Sequence, residues 1–273
     1  NNHFTLHMRN TTDATIDNKS TGIMQSTGGC CTIDYKGSDG TFTLTNAGTI
    51  ISRTHGTINN WGASSSIVNI TNSGTIRMRG ISVSQSNVEA LCAICTAGST
   101  GAVTITNSGT IETIGDDRPA IYTNDETTST IINSGTISGH GTAKDILVAD
   151  DASGTATTTI KISGEGSFDN GIELNDTTVQ LVLEPDIKRD TTVTIYNKDN
   201  LTIVNNLTGN DTYSITSENL DSGEGDTTLG DGVLTIFGED LEIAQDNPKY
   251  RSENVLTKLR GLFDAVNYIN WHD

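Results

Sequence analysis

Two short segments carry the side chains of this sequence that are best suited to acid–base chemistry. Segment 115–118 contains the adjacent carboxylates of Asp116 and Asp117, and segment 139–141 places His140 between two glycines. Two carboxylates assisted by a histidine can hydrolyse a glycosidic bond, since one group protonates the leaving oxygen while the other acts as base or nucleophile. These three residues are therefore the candidate catalytic site of a polysaccharide-degrading enzyme.

The four cysteines form two close pairs, Cys30-Cys31 and Cys92-x-x-Cys95. None of the histidines lies near either pair in the sequence, which argues against zinc, and the βαβ context of a redox motif is missing. We expect a local disulfide between Cys92 and Cys95. Cys30 and Cys31 either form a vicinal bridge or stay reduced, and both states remain open. The sequence predicts no cofactor and no metal centre.

A repeated phrase predicts the elements that position these groups. Its four copies follow the pattern Asn-x-Gly-Thr-Ile, and their glycines are Gly48, Gly74, Gly109 and Gly135. The steps between them are 26, 35 and 26 residues, and a fixed period in this range is typical of a solenoid. Segment 160–168 continues the pattern with Gly164 in place of the asparagine.

Each copy begins with apolar residues spaced two apart, as in a half-buried strand, and Asn-x-Gly then gives a sharp bend through the left-handed region. Thr-Ile starts a second strand. The sequence therefore predicts an all-β, right-handed parallel β-helix in which like residues stack. We expect an interior column of Leu44, Ile70, Ile105 and Ile131, and beside it a structural ladder of hydrogen-bonded amides from Asn46, Asn72, Asn107 and Asn133.

The chain divides into a β-helix over residues 1–248 and a terminal segment over 249–273. Regular coils are expected over about residues 10–168 and irregular coils over about 169–248, where short strands alternate with Asn, Asp and Gly clusters. The terminal segment has apolar residues at helical spacing and is predicted to be an amphipathic α-helix. It caps the last coil, pairs with another chain or leads into a further domain.

The 35-residue step contains nine residues more than the regular coil, together with Cys92 and Cys95. An insertion in a solenoid usually forms a loop on one face. We therefore expect residues 80–101 to project from the stack as a loop closed by the disulfide. Such a loop serves either in recognition or only in ordering a long turn.

The composition limits the partners of the chain. Sixteen Lys and Arg stand against 34 Asp and Glu, so the net charge is −18, which argues against nucleic acid and against an anionic membrane surface. No run of about 18 apolar residues is present, so no transmembrane helix is expected. Residues 1–10 lack the charged and apolar parts of a secretory signal, and we expect that any signal has been removed.

The Asn-Ser-Gly-Thr-Ile phrase, the acidic composition rich in Thr, Asn and Gly, and the terminal helix together resemble the passenger domains of bacterial type V autotransporters. The resemblance covers about residues 10–245. It implies a β-helix at the bacterial cell surface (outer membrane) or secreted, covalently preceding an outer-membrane β-barrel. Self-associating adhesins and vacuolating-cytotoxin-like proteins are both similar. The Gly-Asp-Ser-Gly elbow of the autotransporter serine proteases is missing here.

The functional expectation is a non-catalytic adhesin that acts in virulence. Its partner is a host-cell surface protein or glycan, or another copy of the chain, and not nucleic acid. A toxin-like passenger fragment that acts by oligomerising is one alternative. The other is the polysaccharide-degrading enzyme with Asp116, Asp117 and His140 at its site.

Overall fold

The described part of the chain consists of short strands that coil around one apolar interior. In this computed structural model the structure describes residues 6–9, 13–28, 31–36, 40–60, 66–80, 91–96, 101–115, 117–124, 128–149, 156–175, 179–196, 201–209, 211–217 and 232–237. The predicted helix of residues 249–273, together with Asp116 and Cys30, lies outside these ranges. Within them, no helix is long and apolar enough to cross a membrane.

The strands follow one another in repeating sets of three. The first nine are β1 (Leu6–Arg9), β2 (Ala14–Asn18), β3 (Ile23–Ser26), β4 (Ile33–Lys36), β5 (Thr41–Asn46), β6 (Thr49–Ser52), β7 (Ile58–Asn60), β8 (Ile67–Asn72) and β9 (Thr75–Met78). The next nine are β10 (Ile94–Cys95), β11 (Ala102–Asn107), β12 (Thr110–Thr113), β13 (Ile121–Asn124), β14 (Thr128–Asn133), β15 (Thr136–Ser138), β16 (Ile146–Ala149), β17 (Thr158–Ile162) and β18 (Ser167–Phe168). The last six are β19 (Ile172–Leu174), β20 (Val179–Leu183), β21 (Thr192–Tyr196), β22 (Leu201–Asn205), β23 (Thr212–Ser217) and β24 (Gly232–Phe237).

The stacked coils form three sheets. Sheet A has the order β1-β4-β7-β10-β13-β16-β19-β21-β24-β23, sheet B the order β2-β5-β8-β11-β14-β17-β20-β22, and sheet C the order β18-β15-β12-β9-β6-β3. Every pairing among β1 to β22 is parallel and joins equivalent strands of successive coils. The first six coils contribute one strand to every sheet, so the predicted parallel β-helix is confirmed as a three-sided solenoid.

Aliphatic columns fill the interior, one behind each sheet. The predicted column behind sheet B is confirmed: Leu44, Ile70, Ile105 and Ile131 stack in register, and each is at most 1% exposed. The column behind sheet C contains Ile50, Ile76, Ile111 and Ile137. Burying an aliphatic side chain contributes about 1.5–3 kcal/mol, so each coil is held mainly by these contacts.

Sheet A was not predicted from the repeated phrase, which indicated only two strands per coil. Its interior column is made of isoleucines that precede each copy of the phrase, namely Ile33, Ile58, Ile94, Ile121, Ile146 and Ile172. The residues around them differ from coil to coil, as in Ile58-Asn59-Asn60 and Ile121-Tyr122-Thr123. One isoleucine that recurs once per coil is too weak a pattern to predict a strand.

The parallel stack ends in an antiparallel pair. β24 pairs antiparallel with β21 on one side and with β23 on the other, so these two strands lie at the end of sheet A. The sequence pattern predicts short strands in this region as part of irregular coils. The structure has strands there, and β23 and β24 pair antiparallel. Antiparallel pairing changes the hydrogen-bond pattern of the edge, so the parallel register does not continue through it.

Substitution of Ile105 by Asp tests the packing of the coils. We expect this change to lower the free energy of unfolding by several kcal/mol, because an unpaired carboxylate would be buried among aliphatic side chains. Thr104→Asp is the matched control, because Thr104 is the neighbouring residue on the solvent side of β11. Urea unfolding followed by circular dichroism measures both. Equal stability of the two variants would contradict the buried column.

Candidate functional site

A ladder of buried asparagines fixes the bend between sheets B and C. The Nδ2 of each asparagine donates to the Oδ1 of the next, at 2.7 Å from Asn46 to Asn72, 2.8 Å from Asn72 to Asn107 and 2.9 Å from Asn107 to Asn133. The ladder also includes Asn18, which was not among the predicted members and donates to Asn46 at 2.7 Å. The next coil has Ile162 in this position, so the amide ladder ends at Asn133.

The glycines of the repeated phrase have a different role from the predicted one. The expectation that they adopt the left-handed region is wrong, because none of Gly48, Gly74, Gly109 and Gly135 has a positive φ. Instead, a Cβ on Gly74 would overlap the carbonyl oxygen of Gly48, and the same holds for each later pair. A side chain at these positions would therefore separate successive coils, which the amide ladder requires in close contact.

Gly164 does adopt the left-handed region, with a φ of 51°, but it does not replace the ladder asparagine. The register pairs Asn133 with Ile162 and Thr136 with Ser167, so the bend of this coil contains two additional residues. The regular bend is thus lost in the last coil that contributes a strand to sheet C.

The outer faces of sheets B and C carry columns of hydroxyl and amide groups. On sheet C one column runs through half-buried Thr49, Thr75, Thr110, Thr136 and Ser167. Its last two hydroxyls are 3.3 Å apart and hydrogen-bonded. On sheet B one column consists of Thr15, Thr43, Asn69, Thr104, Thr130, Thr159, Gln180 and Thr202. Neighbouring members of a column are separated by the strand spacing of about 4.8 Å.

These two faces are almost free of net charge. On sheet C the outward Arg77 forms a hydrogen-bonded ion pair with Glu112 on the adjacent strand, and its Nε lies 2.6 Å from Oε1. On sheet B the outward charges are Asp17 at one end and Lys161 near the other, so they balance. The strongly acidic character of the chain therefore lies elsewhere than on these faces.

Of the candidate catalytic residues, the two that the structure describes, Asp117 and His140, do not contact each other as an acid–base pair. The carboxylate of Asp117 accepts hydrogen bonds from the backbone N and the hydroxyl of Thr142, both at 3.4 Å, on the next coil. The backbone N of His140 donates to Arg118 O at 3.2 Å, while its ring Nδ1 is buried and has no hydrogen-bond partner in the described structure. Asp117 thus serves as a turn acceptor in this arrangement, and Asp116 lies outside the described residues.

The cysteine pair lies in the wall of the solenoid. Cys92 and Cys95 are joined by a disulfide, and both are fully buried. β10, which contains Cys95, pairs with β7 and β13, so the expectation that this pair sits on a projecting loop is wrong for residues 91–96. The extra residues of the long step enter between β9 and β10, and most of that segment lies outside the described ranges.

The outer side of the disulfide packs on apolar groups of the following coils. Cys92 and Cys95 contact Tyr122, with Leu147 and Ala149 beside them. Cys31 is also buried and accepts a hydrogen bond from Asn59 Nδ2 at 2.9 Å. The cysteines therefore stabilise the outer side of sheet A, and the described residues contain no cluster of three or more possible metal ligands.

The repeat pattern does not reveal a close contact between His7 and the buried carboxylate of Asp34 at the start of sheet A. His7 Nδ1 lies 2.7 Å from Asp34 Oδ2, and the Asp34 side chain is 3% exposed. Burial raises the pKa of Asp34, while Lys36, His7 and Arg9 act in the opposite direction. The two residues belong to β1 and β4, which share no phrase with the repeat. Only the strand register brings them together.

Asp145 is a second buried carboxylate that sequence patterns did not reveal. It accepts hydrogen bonds from the backbone N of Gly139 at 2.6 Å and from those of Asn170 and Gly171 at 2.7 Å. Its own backbone oxygen accepts from Ala120 and Ile121, so this one residue links three successive coils. Burial raises the pKa of Asp145 to about 6, although the three N–H donors favour the ionised form.

Asp145 predicts a specific pH dependence of stability. Its folded-state pKa lies above the ordinary value of 3.8, so its contribution is full below that value and is lost as the pH rises through about 6. Between pH 4 and pH 7 the native chain should lose about 2.5 kcal/mol of unfolding free energy relative to Asp145→Asn, which has no proton to release.

Urea unfolding of both proteins at the two pH values measures this difference. Asp17→Asn, which alters an exposed carboxylate of β2, controls for the loss of one negative charge. Parallel stability curves for the native chain and Asp145→Asn would show that the three-coil contact is not linked to protonation.

The disulfide predicts a thiol count. Oxidised chain unfolded in guanidinium without reductant should show two fewer reactive thiols than the same chain after reduction, because Cys92 and Cys95 are bonded. In the double variant Cys92→Ser/Cys95→Ser, these two positions contribute no difference between the thiol counts of the oxidised and the reduced chain. Mass mapping of the peptide that contains residues 91–96 assigns the bond, and an alkylated pair in the oxidised sample would contradict it.

Similarity to known proteins adds no further constraint on these sites. Comparison with protein-family models, with curated proteins and with solved structures finds no match to this chain. What the molecule does is therefore inferred from the arrangement of its own residues.

Proposed function

We propose that this chain is a non-catalytic adhesin of the autotransporter passenger type, which binds through the outer faces of sheets B and C. One observation carries the proposal. Successive coils repeat the same outward hydroxyl in register, as in Thr49, Thr75, Thr110 and Thr136. A surface of this kind offers the same weak hydrogen bond many times at a constant spacing. Many such contacts made together give a useful affinity, although each one is weak.

The distribution of charge favours these faces as the contact area. A chain with a net charge of −18 repels other acidic surfaces, including a second copy of itself. The outward groups of sheet C include one cation and one anion, Arg77 and Glu112, and they neutralise each other. This face therefore repels an acidic cell surface, or a second copy of the chain, less strongly than the rest of the molecule does.

The arrangement of the titratable groups favours binding over catalysis. Asp117 accepts hydrogen bonds from Thr142, and the buried Nδ1 of His140 contacts no described carboxylate. A general base must lie within hydrogen-bond reach of the group that it serves, and a glycosidase needs two such carboxylates across the bond. The location that we propose, a bacterial cell surface or the secreted fraction, follows from the resemblance to autotransporter passengers.

The proposal predicts a graded loss of adhesion along one column. Thr75→Val, Thr110→Val and Thr136→Val each remove one hydroxyl while keeping the shape and the strand preference of the residue. We expect each change to weaken binding roughly twofold to threefold, and the triple variant roughly tenfold or more, since a hydrogen bond contributes about 0.5–1.5 kcal/mol. Beads coated with the chain, mixed with host cells or with one another, measure adhesion and self-association.

A matched triple variant on sheet B, at Thr43, Thr104 and Thr130, tells which face makes the contact. Asp117→Ala and His140→Ala should leave adhesion unchanged. Wild-type adhesion in both triple variants would refute the proposal. Degradation of a polysaccharide that is lost in Asp117→Ala would favour the enzyme instead.

A further inference from the structure

A cleft of about 450 Å³ lies at the end of sheet C. One wall is the turn and strand 165–168, and the other is the segment 188–192 that leads into β21. Backbone hydrogen bonds fix the second wall, because Lys188 N donates to Gly164 O at 2.8 Å and Asp190 N donates to Ile236 O at 3.0 Å. The cleft is therefore part of the framework, and a ligand would find it already formed.

The lining of the cleft combines one aromatic ring with many hydrogen-bonding groups. Phe168 is the only aromatic side chain of the lining. It stacks on Ile137 in the interior column of sheet C and packs against the hydrophobic core, and part of it remains exposed. Around it are Glu165, Ser167, Lys188, Arg189, Asp190, Thr191 and Thr192. Two cations and two carboxylates balance each other, so the cleft is locally neutral in a chain of charge −18.

Several of these groups have donors or acceptors to spare. Lys188 Nζ lies 2.6 Å from Glu165 Oε2, so these two charged groups neutralise each other. Arg189 contacts Asp211 through Nε at 3.4 Å, and a guanidinium has five N–H donors. Asp190 also lines the cleft, and its carboxylate supplies hydrogen-bond acceptors.

The backbone of Asp190 adds an independent observation. It has a φ of 62° and is the only non-glycine residue with a positive φ among the described residues. Aspartate tolerates this conformation better than most residues, but it still costs free energy. Residues held in this way are concentrated at ligand sites, where the surrounding structure fixes the conformation.

We infer that this cleft binds one neutral pyranose ring of a host glycan. The apolar face of the ring packs on Phe168, and its hydroxyls donate to Asp190 and accept from Arg189. The volume of the cleft suits a ligand of one or two sugar rings. An acidic sugar is disfavoured because the lining has no excess of cations and the chain as a whole is acidic. The inference rests on the proposed adhesive function and gives it a glycan partner.

Sugar titrations of the whole 273-residue chain test this inference. Lactose is the neutral probe and 3′-sialyllactose the acidic one, with binding followed by calorimetry or by NMR. We expect lactose to bind in the millimolar range and Asp190→Asn to weaken it about tenfold, because the sugar hydroxyl then donates to a neutral amide oxygen instead of a charged carboxylate. Asn retains the tolerance for a positive φ, so this variant should keep the fold. Arg189→Gln should weaken lactose binding to a similar extent.

Asp17→Asn is the matched control, since it makes the same chemical change on β2, on another sheet. Equal weakening in this control, binding of neither sugar, or tighter binding of sialyllactose would each overturn the inference. The proposed function has separate outcomes. A chain that binds lactose without adhering contradicts the adhesin, whereas a chain that adheres in a Thr-dependent way and binds no sugar contradicts only the cleft.

Discussion

The close contact between successive bends is the constraint on which the rest of this solenoid depends. Each buried amide of the ladder must reach the next at 2.7–2.9 Å, a distance that leaves no room for a side chain where the backbones cross. Glycine two residues after Asn46, Asn72, Asn107 and Asn133 meets this requirement. Loss of one amide would leave the partners above and below unsatisfied in a buried place, which costs about 1–3 kcal/mol for each group. The phrase is repeated because its parts depend on one another.

The same constraint produces the surface that we propose to be functional. Once the bends are stacked in register, every residue at a fixed distance from the asparagine is stacked as well. From Asn46 to Asn133, the Thr three residues after each ladder asparagine therefore forms the column of sheet C, and the residue three before it forms the main column of sheet B. A surface column thus follows from an internal one. Evolution of a repetitive binding face needs no separate mechanism for its spacing, because the hydrogen-bonded strands already set it at about 4.8 Å.

The sequence was informative where a side chain is required by a repeated contact, and uninformative where only the register matters. The column of Leu44, Ile70, Ile105 and Ile131 and the asparagine ladder could be predicted, because the same residue type recurs beside the same bend. Sheet A could not, since its only constant feature is one isoleucine per coil. The prediction that Cys92 and Cys95 lie on a loop is wrong, because the length of the 35-residue step shows that residues are inserted but not where in the coil they enter. Asp145 and the pair of His7 with Asp34 are contacts between coils, and no local pattern marks them.

The end of the ladder explains why the most varied surface lies at the carboxyl-terminal end of the stack. Ile162 takes the place of the asparagine, and the bend gains two residues with Gly164 in the left-handed region. Without the amide contact the next coil need not follow the same path, and among the described residues no strand of sheet C follows β18. The segment that would have been that strand instead crosses at 188–192 and leaves the cleft beside Phe168. The regular coils present the same outward group many times, whereas a cleft lined by unlike side chains forms only where the repeat is broken. In this chain the cleft begins in the coil where Ile162 replaces the buried amide.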